Sequence, residues 1–155
     1  METLNIQHRT LNVEFPPEKS VGNRQKYDLE ERLLHYAARI IRLVESLPNT
    51  RAGNHIAGQL LRSGTSPLPN HGEAQSAESQ ADFVHKLKIC LKELRETRRW
   101  LLLIQAAALI KTASKIQPLL DETEELIRIF FASIRTSENK KRESRSQRSR
   151  LDVQN

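Results

Sequence analysis

Apolar positions recur along most of this chain at alternating spacings of four and three residues, the repeat that lines one face of an α-helix. Leu33, Ala37, Ile40, Val44 and Leu47 make the first such face. Asp28 stands ahead of it with Glu31 three residues on, as in a capping box, and Pro48-Asn49 follows it. The pattern predicts a first helix that starts near Asp28 and is ended by Pro48-Asn49. A second starts near Asn49 or Thr50 and carries Ile56, Leu60 and Leu61. Gly64, Pro67 and Pro69 interrupt it, since each proline removes a backbone donor and crowds the preceding turn. A kink or a break is expected there, with a helical turn or two resuming around residues 70–76.

The longest pattern follows Ser79, which has Asp82 three residues on as a second capping signal. Phe83, Leu87, Cys90, Leu94, Thr97, Leu101 and Ile104 keep the spacing throughout and predict a third helix to about Ala107. A connection around Lys111–Ala113 leads to Ser114, a candidate N-cap. Ile116, Leu120, Thr123, Ile127, Phe130 and Ile134 mark a fourth helix, with Pro118 near its start, where proline does least harm. Asp121, Glu122, Glu124 and Glu125 fall in its first half, which suits the helix dipole.

Four amphipathic helices on short connections make an all-α chain, an antiparallel up-down four-helix bundle over residues 27–135. Residues 1–26 show neither clear period and are punctuated by Pro16-Pro17, Gly22 and Asn23. They read as a flexible N-terminal arm, within which Leu11–Phe15 alternates like a short strand. Residues 136–155 have no apolar period and much Ser, Arg and Lys, and read as a basic disordered tail.

Charge changes this picture only locally. The 155 residues suit one domain with tails, and 25 Lys and Arg against 19 Asp and Glu give +6. Residues 135–155 hold seven basic side chains and three acidic ones, so the pI of 9.8 describes the tail more than the body. The single cysteine, Cys90, excludes a disulfide scaffold and a Cys-based zinc site, and its heptad position reads as a small buried hydrophobe. No apolar run of signal-peptide length follows a basic start, and the stretch Trp100–Ile110 is well short of the roughly 18 residues a membrane span needs. A cytoplasmic protein without a membrane partner is expected.

Projecting the third helix at about 100° per residue sharpens the charge. With Leu94 marking the core, Lys88, Lys92, Arg95 and Arg99 fall within a sector of about 60° on one flank. The plain reading is a solvated face, paired with the acidic fourth helix. The sharper one is contact with nucleic-acid phosphates, to which Lys140, Lys141, Arg142, Arg145 and Arg148 of the tail would add. Ile89, Trp100 and Leu103 project to the other side and are too apolar for a fully solvated face. They belong to a wide intramolecular core or to a subunit interface, and the interface is the expectation, since Trp is enriched at such contacts.

The stretch Gln59–Ile104 resembles a known bacterial family. The resemblance rests on Leu60-Leu61-Arg62-Ser63-Gly64-Thr65-Ser66, Asn70 and Glu73-Ala74, then Ser79, Phe83 and Lys86, and last Lys92-Glu93, Glu96-Thr97 and Trp100-Leu101. These match the four-helix-bundle proteins encoded by intervening sequences within large-subunit ribosomal RNA genes. That family is itself similar to the accessory variability determinants of diversity-generating retroelements. The resemblance implies a short up-down bundle assembled as a homopentamer. For the retroelement proteins it further implies binding of nucleic acid and of a reverse transcriptase by the basic oligomer. The chain departs from the family at Pro67-Leu68-Pro69 and His71-Gly72, where other members have a helix-compatible stretch. Arg62, Asn70, Glu73, Glu93 and Glu96 carry the polar part of the motif and read as a structural network around the kink, because polar groups near a core need partners.

Other chemistry finds no support. Asp82-x-x-His85 occurs once, where a di-iron bundle needs Glu-x-x-His on two helices. His71-Gly-Glu73 has no partner pattern, and neither a phosphate loop nor an H-E-x-x-H run is present. No metal, cofactor or catalytic residue is expected. Two Tyr, four Phe and one Trp offer no platform for stacking bases, so nucleic-acid contact would be mainly electrostatic. The expected function is that of a non-enzymatic oligomer binding RNA or single-stranded DNA, as an accessory to a reverse transcriptase. The alternative is a protein-interaction scaffold.

Overall fold

Three side chains start three helices. In the computed structural model, which describes residues 28–111 and 113–152, Asp28 Oδ1 accepts a hydrogen bond from the Glu30 amide at 3.0 Å and opens α1, Leu29–Glu45. Thr50 Oγ1 accepts from the Gly53 amide at 3.0 Å and opens α2, Arg51–Thr65. Ser79 Oγ accepts from the Asp82 amide at 3.1 Å; it opens α4, Gln80–Ala106, which follows α3, Pro67–Gln75. Each cap satisfies an amide that the helix cannot, worth about 1 kcal/mol. The arm expected over residues 1–26 and its short strand lie outside the described residues.

The interruption at the prolines is a fault in the ladder rather than a loop. Ser66 between α2 and α3 keeps helical angles (φ −57°, ψ −36°), its amide bonds to the Arg62 carbonyl at 3.2 Å, and its own carbonyl accepts from Asn70 at 3.3 Å. Pro67 takes the first position of α3, where its missing donor matters least. The two segments therefore pass through the bundle as one interrupted helix.

α4 ends with Ala108 in the left-handed region, φ 48°. The Leu109 amide bonds back to Ile104 O and the Ala108 amide to Gln105 O, both at 3.2 Å, which is a Schellman closure built on alanine. A 3-10 turn, Ala113–Lys115, precedes α5, Gln117–Asp152. Ser114 lies inside that turn and does not cap α5; the Leu119 and Leu120 amides bond instead to the Ile116 carbonyl at 3.0 and 2.9 Å.

α5 also corrects the reading of the C-terminal segment. No break separates Arg135 from Thr136, and the helix runs through Asp152, although every one of residues 139–150 is exposed. An apolar period was the wrong test. A helix already nucleated in the core adds residues without a new nucleus, and this segment has no Gly or Pro to stop it. Glu138 ties its first turn to Lys88 of α4, and farther on Ser144 Oγ donates to Lys140 O at 2.9 Å.

Cross-helix contacts fix an antiparallel register. On α2–α3 against α4, Ser63 meets Thr97 (3.0 Å), Cys90 Sγ donates to Pro67 O (3.5 Å), and Glu73 meets Lys86, so one number rises as the other falls. On α4 against α5, Arg98 meets Glu124 and Lys88 meets Glu138 in the same sense. The helices enclose one core in which Leu33, Ile40, Leu60, Leu94, Leu101, Ile104, Leu126 and Phe130 are wholly buried. Tyr36 and Thr123 share it: Thr123 donates to Leu119 O at 2.6 Å, leaving its oxygen to accept from Tyr36 at 2.7 Å. Burial raises the Tyr36 pKa above the ordinary phenol range, more than the Thr123 hydrogen bond lowers it. Gly64 sets the approach of α2 to α1, because a Cβ there would stand 2.7 Å from Ile40 Cγ2.

Candidate nucleic-acid interface

The antiparallel pairing of α4 with α5 builds one long charged face. Lys88 Nζ lies 2.6 Å from Glu138 Oε1, and Arg98 Nε lies 2.8 Å from Glu124 Oε1. Between these two pins α4 exposes Lys92 and Arg95, with Arg99 just beyond, and α5 presents Arg128, Phe131 and Arg135. A shallow groove of about 420 Å³ is lined by Arg95, Arg98, Arg99, Glu124, Ile127 and Arg128. A second, of about 460 Å³, runs between the start of α4 and the far half of α5; Lys88, Lys141, Arg142 and Arg145 line it with His85 and Glu138. The helical extension thus lies alongside the start of α4 and meets the stripe at Lys88, which sequence spacing alone could not establish. Lys140 and Arg148 lie round the helix, lining a further groove with Gln80, Lys141, Ser144 and Arg145.

The acidic half of α5 neutralises little of the stripe. Glu122 pairs with Arg32 (2.6 Å), Glu124 with Arg98, and Glu125 with Arg128 (2.6 Å). The Arg128 hydrogen bond holds the Glu125 carboxyl below its usual pKa. Of the four stripe residues only Lys88 has a carboxylate partner among the described residues, and Arg99 reaches the Arg95 carbonyl at 3.4 Å. Sequence projection missed Arg98, Arg128, Phe131 and Arg135. The signal was available in part: Arg128, Arg135 and Arg142 repeat at seven, continuing the α5 heptad past Ile134.

The polar motif residues divide into three groups. Arg62 reaches Glu93 at 3.4 Å and also pairs with Glu96, whose Oε1 accepts from Trp100 Nε1 at 3.3 Å. The Thr97 hydroxyl donates to Glu93 O at 2.9 Å beneath this cluster, beside Ser63. Asn70 stands apart, its Nδ2 donating to Ser66 O at 2.9 Å and to Ser66 Oγ at 3.0 Å. Glu73 is elsewhere again, paired with Lys86, whose pKa that bond raises. These contacts explain the Arg-Ser-Gly run: one ion cluster, one buried hydroxyl pair and one close helix approach in consecutive residues.

Ile89, Trp100 and Leu103 have three different environments. Ile89 is half-buried. Trp100 packs against the core and meets His55 edge-on at 6.0 Å, whereas Leu103 is 43% exposed. Cys90 is buried and its thiol is pushed up to about 12 by desolvation, far from thiolate reactivity. His71 is buried too, against Phe130, and its Nδ1 has no hydrogen-bond partner. Among the described residues no group of three His, Cys, Asp or Glu is placed to hold a metal, and no helix is long and apolar enough to cross a membrane.

No curated protein matches the chain. Among solved structures it is similar to a protein of unknown function of the S23 ribosomal protein family from Bacteroides thetaiotaomicron. The two are 35% identical, with a TM-score of 0.64, over 68% of this chain and 97% of the other. The family model for the 23S rRNA-intervening sequence protein matches residues 25–132, most of the bundle but not the basic end of α5. The chain belongs to the 23S rRNA-intervening sequence protein family.

Proposed function

We propose that this protein is a non-enzymatic homo-oligomer that binds RNA or single-stranded DNA through phosphates on the α4–α5 face. One observation carries the reading: Lys92, Arg95 and Arg99 on α4 and Arg142 and Arg145 on α5 extend to either side of the Lys88–Glu138 pair, and none of the five has a carboxylate partner among the described residues. A cation already neutralised inside the fold gains little from a phosphate, and these have not been neutralised. Such contacts position a nucleic acid without reading its sequence. An oligomer would repeat the face and multiply its field.

The test is a salt series on the full chain and on a chain lacking residues 136–155. Affinity should fall linearly in log–log form, with a shallower slope for the shortened chain. No binding of RNA or single-stranded DNA at low salt by the full chain would overturn the reading. A pentamer is suggested by the family resemblance, and a reverse transcriptase partner by the likeness to retroelement accessory proteins. Solution mass tests the first, and a reverse transcriptase gene beside a variable repeat tests the second.

A second reading, a scaffold for another protein, has its own support. Leu34 and Ile41, two turns apart on α1, are 56% and 45% exposed, and Leu103 adds a further apolar contact. Co-purification that recovers only nucleic acid would count against it.

A further inference from the structure

We propose that Phe131 is a stacking site for an unpaired nucleobase, so that the basic face takes single strands in preference to duplexes. The inference rests on the phosphate-binding role of that face. Phe131 is 46% exposed, an unusual position for a phenyl ring between the exposed Arg128 and Arg135. It lies seven residues from Glu124 and seven from Glu138, the two α5 residues that pair with α4. That spacing puts the ring about two turns from each pin, level with the Lys92–Arg95 turn of α4. Arg135, one turn on, holds its guanidinium carbon 5.8 Å from the ring centroid.

The surroundings select the occupant. Arg128, Arg135 and Arg142 fall near the ring on a helical projection of α5, and exposed Lys92 and Arg95 lie on the stretch of α4 between the same two pins. An apolar protein partner would have to desolvate these cations to reach one ring, which is costly. A nucleic acid neutralises them with phosphates while a base covers the ring. In a duplex both faces of every internal base are already stacked on neighbours, so only an unpaired base is free to do this. Every base has a π-face, so the contact discriminates strandedness and not sequence. One ring is far from a multi-base platform, but it suffices for one base per subunit.

The experiment is fluorescence anisotropy with a labelled oligouridylate and an RNA duplex of equal phosphate count. The proteins are the full chain, Phe131→Leu, Phe131→Ala and Phe131→Trp. Leucine keeps apolar area and removes the ring. Phe131→Leu and Phe131→Ala should weaken the single strand about tenfold, within the range for a base–aromatic stack, and the duplex less than twofold. Phe131→Trp should bind the single strand at least as well as the parent, and the slope with salt should not change, since no phosphate contact is removed. The proposal fails if Phe131→Leu binds like the parent, or if both ligands weaken equally. It also fails if Phe131→Ala alters the solution mass, which would make the ring a contact between copies. A parent chain that binds duplex alone overturns this inference only; one that binds neither ligand overturns the basic-face reading with it.

Discussion

Lys88 and Glu138 meet across the α4–α5 seam at 2.6 Å, with both side chains about half exposed. At such exposure the pair is worth at most about 1 kcal/mol, so it hardly stabilises the bundle. It does place the one carboxylate that lies among the lysines and arginines of the second groove. Glu138→Gln should change the unfolding free energy by less than about 1 kcal/mol. The same change should strengthen RNA binding and steepen its dependence on salt, because Lys88 becomes free for phosphate. Paired denaturation and binding curves check both halves.

Gly64 faces Ile40 at a distance no Cβ tolerates, and Ile40 is wholly buried. Gly64→Ala should destabilise the chain by about 1–3 kcal/mol of overpacking, less the ~1 kcal/mol that alanine gains over glycine in a helix. The check is a double-mutant cycle in urea. In an Ile40→Ala background the clash is gone, and Gly64→Ala should there be neutral or stabilising.

Ala108 holds a left-handed conformation that costs an L-residue roughly 1–2 kcal/mol and glycine almost nothing. After allowing for the extra freedom of glycine in the unfolded chain, Ala108→Gly should stabilise by about 0.5–1 kcal/mol. A rise in the urea midpoint at unchanged slope would show it.

Burial lowers the His71 pKa from its ordinary 6.5, outweighing the upward pull of Glu30 and Asp28. The unfolded chain therefore takes up this proton at a higher pH than the native one. Stability should be full above about pH 6.5 and fall as the pH drops through that value, by no more than about 1.4 kcal/mol per pH unit for one group. His71→Phe should flatten the decline between pH 7 and pH 5. An equal decline in both proteins would mean that other groups cause it.

The period and the caps were legible because both are local. Asp28, Thr50 and Ser79 sit immediately before their helices, and Leu87, Leu94 and Leu101 face inward because a helix returns to the same side every seven residues. What lies between helices was not legible. No spacing within α4 says that Arg98 rather than Arg95 meets Glu124, since that depends on the register of two separate elements. His71 read as one scattered histidine for the same reason: its burial is supplied by Phe130, far away in sequence. Ser114 had the right residue type for a cap, but the chain makes a tighter turn first.

The helical end of α5 adds a property that neither composition nor binding describes. By the register of Lys88 with Glu138, the start of α4 at Gln80 lies level with about residue 146 of α5. The remaining turns pass beyond it, and none of residues 139–150 is buried. Substitutions there leave the core untouched. Lineages can thus retune charge, reach or salt tolerance by drift along one exposed rod while selection on folding acts on the other end of the same helix.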